Sequence, residues 1–288
     1  MSADRTAVAV PARHGRTVVV TGASTGIGAA TVCELDRQGF RVWATVRREA
    51  DAARLGQQYS GRVRVLRLDI TDDHAVRDAG EQISAAGPLH GLVNNAGVAL
   101  PGPLEFLPLE AFRRQLEVNL VGQLAVTQAM LPALRAGSGR VVMVGSIGGR
   151  IAGPMIGAYH ASKFGLVGLT DALRAELAPW GLGVVLVEPG AIATSIWERS
   201  VASGNEVLEQ MPAPALELYA AQVRQIRESS ARSAGAGLPP AAVAQIIARA
   251  LTEPRPRPRQ LVGRDAVVAS IVARLPFRLR YRITAARA

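Results

Sequence analysis

Short apolar runs alternate with longer amphipathic stretches along most of the chain. Thr17-Val18-Val19-Val20 is a β-branched run that ends at Thr21-Gly22, and an alanine-rich helical segment follows to about Gln38. The apolar pattern returns over residues 41–46, 63–69, 91–94, 140–145 and 183–188, with a last strand at 260–262. Helical stretches separate these runs: about 49–59, then 73–86 with Thr71 or Asp72 to cap it, a long one over 109–135, and 158–178, which ends before Pro179 and Gly181. A further helix runs from Pro240 to about Leu251. Apolar strands alternating with helices mark βαβ units, in which helices cover both faces of a parallel sheet. The pattern predicts an α/β fold: a doubly wound parallel sheet (Rossmann fold) of about seven strands with helices on both faces, in a single domain over 16–263. Residues 1–15 lack periodicity and read as a flexible arm. Only 195–238 and the stretch beyond 253 break the rhythm.

Composition narrows the class. With 49% apolar and 19% charged residues the chain is globular, and at 4% aromatics it has no base-stacking platform. One cysteine, Cys33, excludes a disulfide framework and fits a reducing compartment; its place in the alanine-rich helix predicts a buried structural thiol. His14, His74, His90 and His160 lack ligand spacing, so no metal site is expected. Asp4 and Arg5 precede no apolar leader segment, and no apolar run reaches the ~18 residues of a membrane span, so a cytoplasmic protein is expected. The net charge of +10 is localised: residues 253–288 hold nine arginines against Glu253 and Asp265, and the body is nearly balanced.

Of the 33 basic residues one is lysine, Lys163, four residues after Tyr159. Arginine is a planar, permanently charged fork, whereas lysine is a compact charge on a flexible stem. At that spacing on a helix the two side chains share a face, where the ammonium can favour the phenolate and fit the tyrosine for acid–base work. The first strand ends in Thr21-Gly22-Ala23-Ser24-Thr25-Gly26-Ile27-Gly28, a glycine turn that lets the backbone approach a pyrophosphate at a helix N-terminus. Its spacing is Gly-x-x-x-Gly-x-Gly, not the more familiar Gly-x-Gly-x-x-Gly.

Together with Asn94-Asn95-Ala96-Gly97, Asn119, Ser146 and Pro189-Gly190, these motifs stand in the order and spacing of the short-chain dehydrogenases/reductases, which the chain resembles over residues 16–194. The glycine spacing matches the shorter, single-domain branch, and 145–163 looks most like members acting on steroids or retinoids. The resemblance implies that Tyr159 is the acid/base group and that Lys163 binds the nicotinamide ribose. It implies that Ser146 hydrogen-bonds the substrate oxygen and that Asn119 holds a water linking Lys163 to solvent. Asp69 would meet the adenine; Asn95, Ala96 and Gly97 would line the adenosine side; Pro189, Gly190, Ile192 and Thr194 would meet the nicotinamide. Gly22, Ser24, Gly26, Ile27 and Gly28 would form the phosphate turn.

After the second strand, Val46 stands where NAD-preferring members carry an acid and Arg47 where NADP-preferring members carry a base, with Ser24 able to add a hydrogen bond. The reading is NADP(H), with NAD as the alternative; against it, both Arg47 and Arg48 are ordinary solvated helix-start residues. Residues 195–238, with Ile196, Trp197, Met211 and Tyr219, are expected to form a mobile, mostly apolar lid over a bulky apolar carbonyl or alcohol. The expected reaction is interconversion of a ketone or aldehyde and an alcohol; the competing reading is a non-catalytic nucleotide-binding sensor or scaffold, for which the Asn119–Ser146–Tyr159–Lys163 set would be superfluous. The family pairs its two long helices, so a homodimer or homotetramer is implied.

The basic extension over 264–288 leaves three readings open. It is a solvated segment packed on its own domain or a neighbouring subunit, a peripheral contact with an anionic membrane, or a weak nucleic-acid contact. No reader motif accompanies the charge, so no nucleic-acid partner is expected.

Overall fold

A computed structural model describes residues 15–285, except for the side chains of Trp197, Ser233, Ala234, Thr284 and Ala285. The expected N-terminal arm therefore lies outside the described residues save for Gly15, as does the side chain of Trp197 expected in the lid. The chain runs β1 (Thr17–Val20), α1 (Gly26–Arg37), β2 (Arg41–Val46), α2 (Glu49–Gly56), β3 (Val63–Arg67), α3 (Asp73–Ala85), β4 (Gly91–Asn94), α4 (Leu109–Leu116), α5 (Gly122–Ala136), β5 (Arg140–Val144), α6 (Gly157–Leu177), β6 (Gly183–Pro189), α7 (Ile196–Glu209), α8 (Ala213–Leu218), α9 (Ala220–Ala236), α10 (Pro240–Thr252), β7 (Arg259–Val262), α11 (Arg264–Val272) and α12 (Phe277–Ala285).

All strand pairs are parallel, in the order β3-β2-β1-β4-β5-β6-β7. Side chains alternate across the pleat. Val18, Val20, Val142, Val144, Val185 and Val187 face one side, where α1 and α10 supply Val32, Leu35, Val243 and Ile247. Val19, Val141, Met143, Val184 and Leu186 face the other, against α3, α5 and α6 through Ile83, Met130, Leu134 and Leu166. Strands buried on both faces explain the continuous apolar runs; each such side chain contributes about 1.5–3 kcal/mol on leaving water. The order reverses between β1 and β4, which opens the crevice where ligands bind in open α/β sheets.

Two expectations change. The helix expected over 109–135 is interrupted by a π-helical turn, Glu117–Val121, which carries Asn119; such single π turns concentrate at functional sites. Cys33 is exposed, not buried. The reason is phase: α1 turns Val32 and Leu35 to the sheet, and the residue after Val32 falls on the solvent side. Residues 277–283, whose apolar and basic positions alternate, are helical in α12. Asp72, one of the two expected caps, caps α3 by accepting from the backbone N–H groups of His74 and Ala75, each at 3.0 Å. Among the described residues no helix is long and apolar enough to cross a membrane.

Candidate active site

The glycine turn at the end of β1 is held from the end of β4, across the crevice. The buried hydroxyl of Thr21 accepts from the backbone N–H groups of Asn95 (2.9 Å) and Ala96 (3.0 Å). Asn95 returns the contact, its Nδ2 donating to the carbonyls of Thr21 (2.9 Å) and Gly22 (3.1 Å). Gly22 has φ +66°, and a Cβ there would come within 2.8 Å of the Ala96 Cα. At Gly28 a Cβ would collide with the Gly22 carbonyl and the Asn95 side chain. Thr25, at the N-cap of α1, makes no side-chain capping bond, so the first N–H groups of the helix are left to face the crevice.

The buried side chain of Asn94 braces the same strand from behind, donating to Thr127 Oγ1 at 2.8 Å. Asn119 is fully buried: its Oδ1 accepts from Val98 N at 2.9 Å, and its Nδ2 donates to Val98 O at 2.9 Å and Ser162 Oγ at 3.0 Å. The π turn thus fixes the loop after Gly97 and the face of α6 one residue before Lys163.

On α6, Tyr159 and Lys163 share a face, the Lys163 Nζ lying 5.8 Å from the centre of the Tyr159 ring. Lys163 is buried and donates to the carbonyl of Val144 at 2.9 Å. Burial lowers its pKa from 10.5 to about 8. Burial raises the pKa of Tyr159, and the neighbouring Ser146 hydroxyl acts in the opposite direction. Desolvation therefore keeps the phenol protonated. Ser146 Oγ also accepts from Gly148 N at 3.0 Å, which shapes the short 3-10 turn that follows β5.

His160, which the sequence reading set aside, staples this loop. Its Nδ1 lies 2.9 Å from the carbonyl of Gly148, and its Nε2 accepts from Gly153 N at 3.0 Å. With Gly153 donating, Nε2 is the bare nitrogen and Nδ1 carries the proton. Burial lowers the histidine's pKa and keeps the ring in that neutral form.

The Pro189-Gly190 loop is anchored from below and from the tail. Glu188, fully buried, takes paired hydrogen bonds from Arg150 (2.7 and 2.6 Å) and Arg259 (3.0 and 2.6 Å). Arg150 also donates to Ser270 Oγ at 3.1 Å, tying α11 to the loop after Ser146. Asp265 accepts from Ala191 N at 2.6 Å. Its one signal in the sequence was to be, with Glu253, an acid in an arginine-rich tail. Thr194 packs on Gly26, bringing this loop to the glycine turn.

One cavity of about 730 Å³ collects these elements. Of the site residues read from the sequence, all but Gly28 and Asn119 line it, including Ser24, Ile27, Arg47, Asp69, Ala96, Gly97, Pro189, Gly190 and Ile192. Gly28 and Asn119 lie one layer behind. One Asp69 oxygen, Oδ1, accepts from Thr71 N (3.1 Å) and Thr71 Oγ1 (2.8 Å). Val46 is buried in the core under the rim, while Arg47 is exposed on it. The far wall holds residues that the sequence did not single out: Arg199 of α7, Gln222, Gln225 and Ile226 of α9, Val268 and Val272 of α11, and Ile283 of α12. The basic tail is therefore not only a solvated appendage; it walls the cavity.

A crevice at the sheet's switch point, a glycine turn and a Ser–Tyr–Lys cluster define a nucleotide-dependent oxidoreductase of the Rossmann class. A family model described as short chain dehydrogenase matches residues 16–204, and the chain belongs to that family; it is an oxidoreductase acting between CH–OH and C=O. It is 40% identical over 199 residues to 3-amino-tetrahydro-pyrrolizinone reductase of Xenorhabdus hominickii, covering 67% of this chain and 68% of that one. With human 17-beta-hydroxysteroid dehydrogenase type 1 it shares 37% identity over 255 residues, covering 84% of this chain and 76% of the other. A short chain dehydrogenase from Burkholderia cenocepacia, solved in complex with NADP, superposes with a TM-score of 0.73 at 27% identity over 94% of this chain and 98% of that one.

Proposed function

We propose that the protein is an NADP(H)-dependent reductase or dehydrogenase that interconverts a ketone or aldehyde and an alcohol on a bulky, mostly apolar substrate. The observation that carries this reading is that Ser146, Tyr159 and the buried Lys163 stand together on the wall of one large cavity. The residues present fit a dinucleotide: Gly22, Ser24, Gly26 and Ile27 line the cavity, and the first N–H groups of α1 carry no side-chain cap. Gly22, Ser24, Gly26 and Ile27 would hold the pyrophosphate, Asp69, Asn95, Ala96 and Gly97 the adenosine half, and Pro189, Gly190, Ile192 and Thr194 the nicotinamide. When bound, the cofactor supplies or accepts the hydride. Tyr159 donates its proton to the carbonyl oxygen in reduction and takes it back in oxidation, and Ser146 hydrogen-bonds the same oxygen. Two hydroxyls directed at one oxygen would stabilise the charge developing there. Lys163 holds a positive charge near the phenol, and Asn119 fixes the face of α6 on which it stands.

Two relatives support reduction and the phosphorylated cofactor. The Ornithobacterium rhinotracheale protein named NADPH-dependent 3-dehydrocapnine reductase is 39% identical over 198 residues, and the Burkholderia structure holds NADP. Ile147, Ile151, Met155, Val268 and Val272 on the cavity wall support an apolar substrate. Val121 and Phe164, exposed on the two long helical segments, suit a homodimer or homotetramer. Phe277, Leu279 and Tyr281, exposed beside the arginines of α12, suit an anionic membrane surface. Because α11 and α12 wall the cavity, that contact is tested by a Phe277→Ser/Leu279→Ser double variant in liposome co-sedimentation, not by truncation.

The deciding experiment is NADPH oxidation at ~340 nm, where the reduced nicotinamide absorbs, against apolar ketones, steroids, retinals and long-chain aldehydes, with Tyr159→Phe as control. Turnover that the variant abolishes establishes the reaction. Cofactor binding with no turnover on any of them favours the non-catalytic sensor or scaffold.

A further inference from the structure

The cavity's adenosine end is more basic than the sequence motif accounts for. Arg47 and Arg48 follow β2 and line it, and Arg199 reaches the same place from α7, on the opposite wall. Arg199 Nη1 donates to Thr25 Oγ1 at 3.2 Å, and Ser195 Oγ donates to the same hydroxyl at 3.2 Å. The start of α7 is thus seated on the residue at the N-cap position of α1, beside the glycine turn. The carboxylate in the group, Asp51, ion-pairs with Arg48 at 3.6 Å and with Arg54 at 3.4 Å. Arg47 has no ion pair among the described residues. Arg199 is crowded by like charge: desolvation first, then Arg48, lower its pKa; Asp51 opposes them, Arg47 adds a smaller lowering effect, and Glu198 a smaller opposing one. Like charges from two separate elements gathered at a concave rim form a site short of an anion.

We propose that Arg199 is a second arm of the phosphate site, clamping the cofactor's 2′-phosphate against Arg47 and thereby fastening the start of α7 over the crevice. The inference rests on the NADP(H) reading and adds to it a coupling. The phosphate that distinguishes NADP from NAD also orders the helices that wall the substrate cavity, because α7 packs on α9, which carries Gln222, Gln225 and Ile226 to that wall. A ligand shifts such an equilibrium only through contacts that differ between the two states; a bond from α7 to a phosphate exists only when α7 is down. Arginine suits the task, since its fork can hold phosphate and Thr25 together.

The test uses the full chain with Arg199→Gln and, separately, Arg47→Ala. Calorimetry gives dissociation constants for NADPH, NADH, 2′,5′-ADP and 5′-AMP. Hydrogen exchange reports residues 196–209 with each ligand. Arg199→Gln is expected to weaken NADPH and 2′,5′-ADP roughly tenfold, the effect of losing one charge-assisted hydrogen bond, and to leave NADH and 5′-AMP unchanged. In the parent protein NADPH and 2′,5′-ADP should slow exchange over 196–209 and NADH should not; in Arg199→Gln that protection should vanish. Unchanged NADPH affinity and protection in Arg199→Gln, with Arg47→Ala still selective against NADPH, would overturn the clamp and spare the cofactor reading. A parent protein that binds NADH as tightly as NADPH would overturn both.

Discussion

Lys163 donates its hydrogen bond to the carbonyl of Val144 at 2.9 Å, two residues before Ser146 on the same chain segment. One ammonium therefore fastens α6 to the end of β5 and sets the tyrosine's helix against the serine's strand. It does so from a buried position, at a cost in solvation that shows in its pKa of about 8.

That cost gives the first prediction. In the unfolded chain the lysine titrates at 10.5, so between pH 8 and 10.5 the unfolded state binds the proton that the folded state has lost, and stability from this group rises with pH. Below that window the charge is buried at full cost. Lys163→Met should stabilise the protein at pH 7 by roughly 1–3 kcal/mol while abolishing turnover. The gain should shrink towards pH 10 in urea titrations. A variant less stable than the parent at pH 7 would contradict it.

Tyr159→Phe keeps the ring and removes the proton. Turnover should fall by about 10²–10⁴, with NADPH affinity unchanged in calorimetry. Because burial holds the phenol protonated, the parent's reductive kcat/KM should be flat through neutral pH. It should fall on the alkaline side, as Lys163 loses its charge around pH 8.

Asn95→Ala removes the donor that closes on two carbonyls of the glycine turn. Thermal denaturation should show a loss of about 1–3 kcal/mol, the cost of stranding buried acceptors, and NADPH should bind more weakly. Asn95→Asp, which offers no donor, should not rescue either quantity; rescue would show that the side chain acts through shape alone.

Glu188→Gln leaves Arg150 and Arg259 without their shared countercharge. Breaking such a pair costs about 3–5 kcal/mol. The carboxylate's pKa is lowered in the fold: desolvation pushes it up, and the hydrogen bonds from Arg150 and Arg259 outweigh that. Its stabilisation is thus present above the unfolded value of 4.5 and lost as pH falls through the folded one. The gap between parent and variant, measured by urea denaturation, should be widest near neutrality and close on acidification; a gap constant with pH would show that charge is not its source.

What the amino-acid sequence determined by itself was everything carried by local period. The apolar runs set the strands, their two-sided burial set a parallel sheet, and the spacings of Gly22-x-x-x-Gly26-x-Gly28 and Tyr159-x-x-x-Lys163 placed the turn and the shared helix face. These depend on residues within one or two turns of each other, so the backbone's own geometry enforces them. Only the tertiary structure decided the rest. Whether Cys33 faces sheet or solvent depended on the rotation of α1 against β-strands far along the chain. The break in the helix at Asn119 was paid for by the Val98 and Ser162 contacts that no period encodes. His160 became a staple only because Gly148 and Gly153 fold back around it, and Asp265 and Arg199 reached the cleft from 74 and 174 residues beyond their partners Ala191 and Thr25. Side chains that meet across such separations leave no regular mark on the chain, since nothing between them has to repeat; the packing of the whole sheet brings them together.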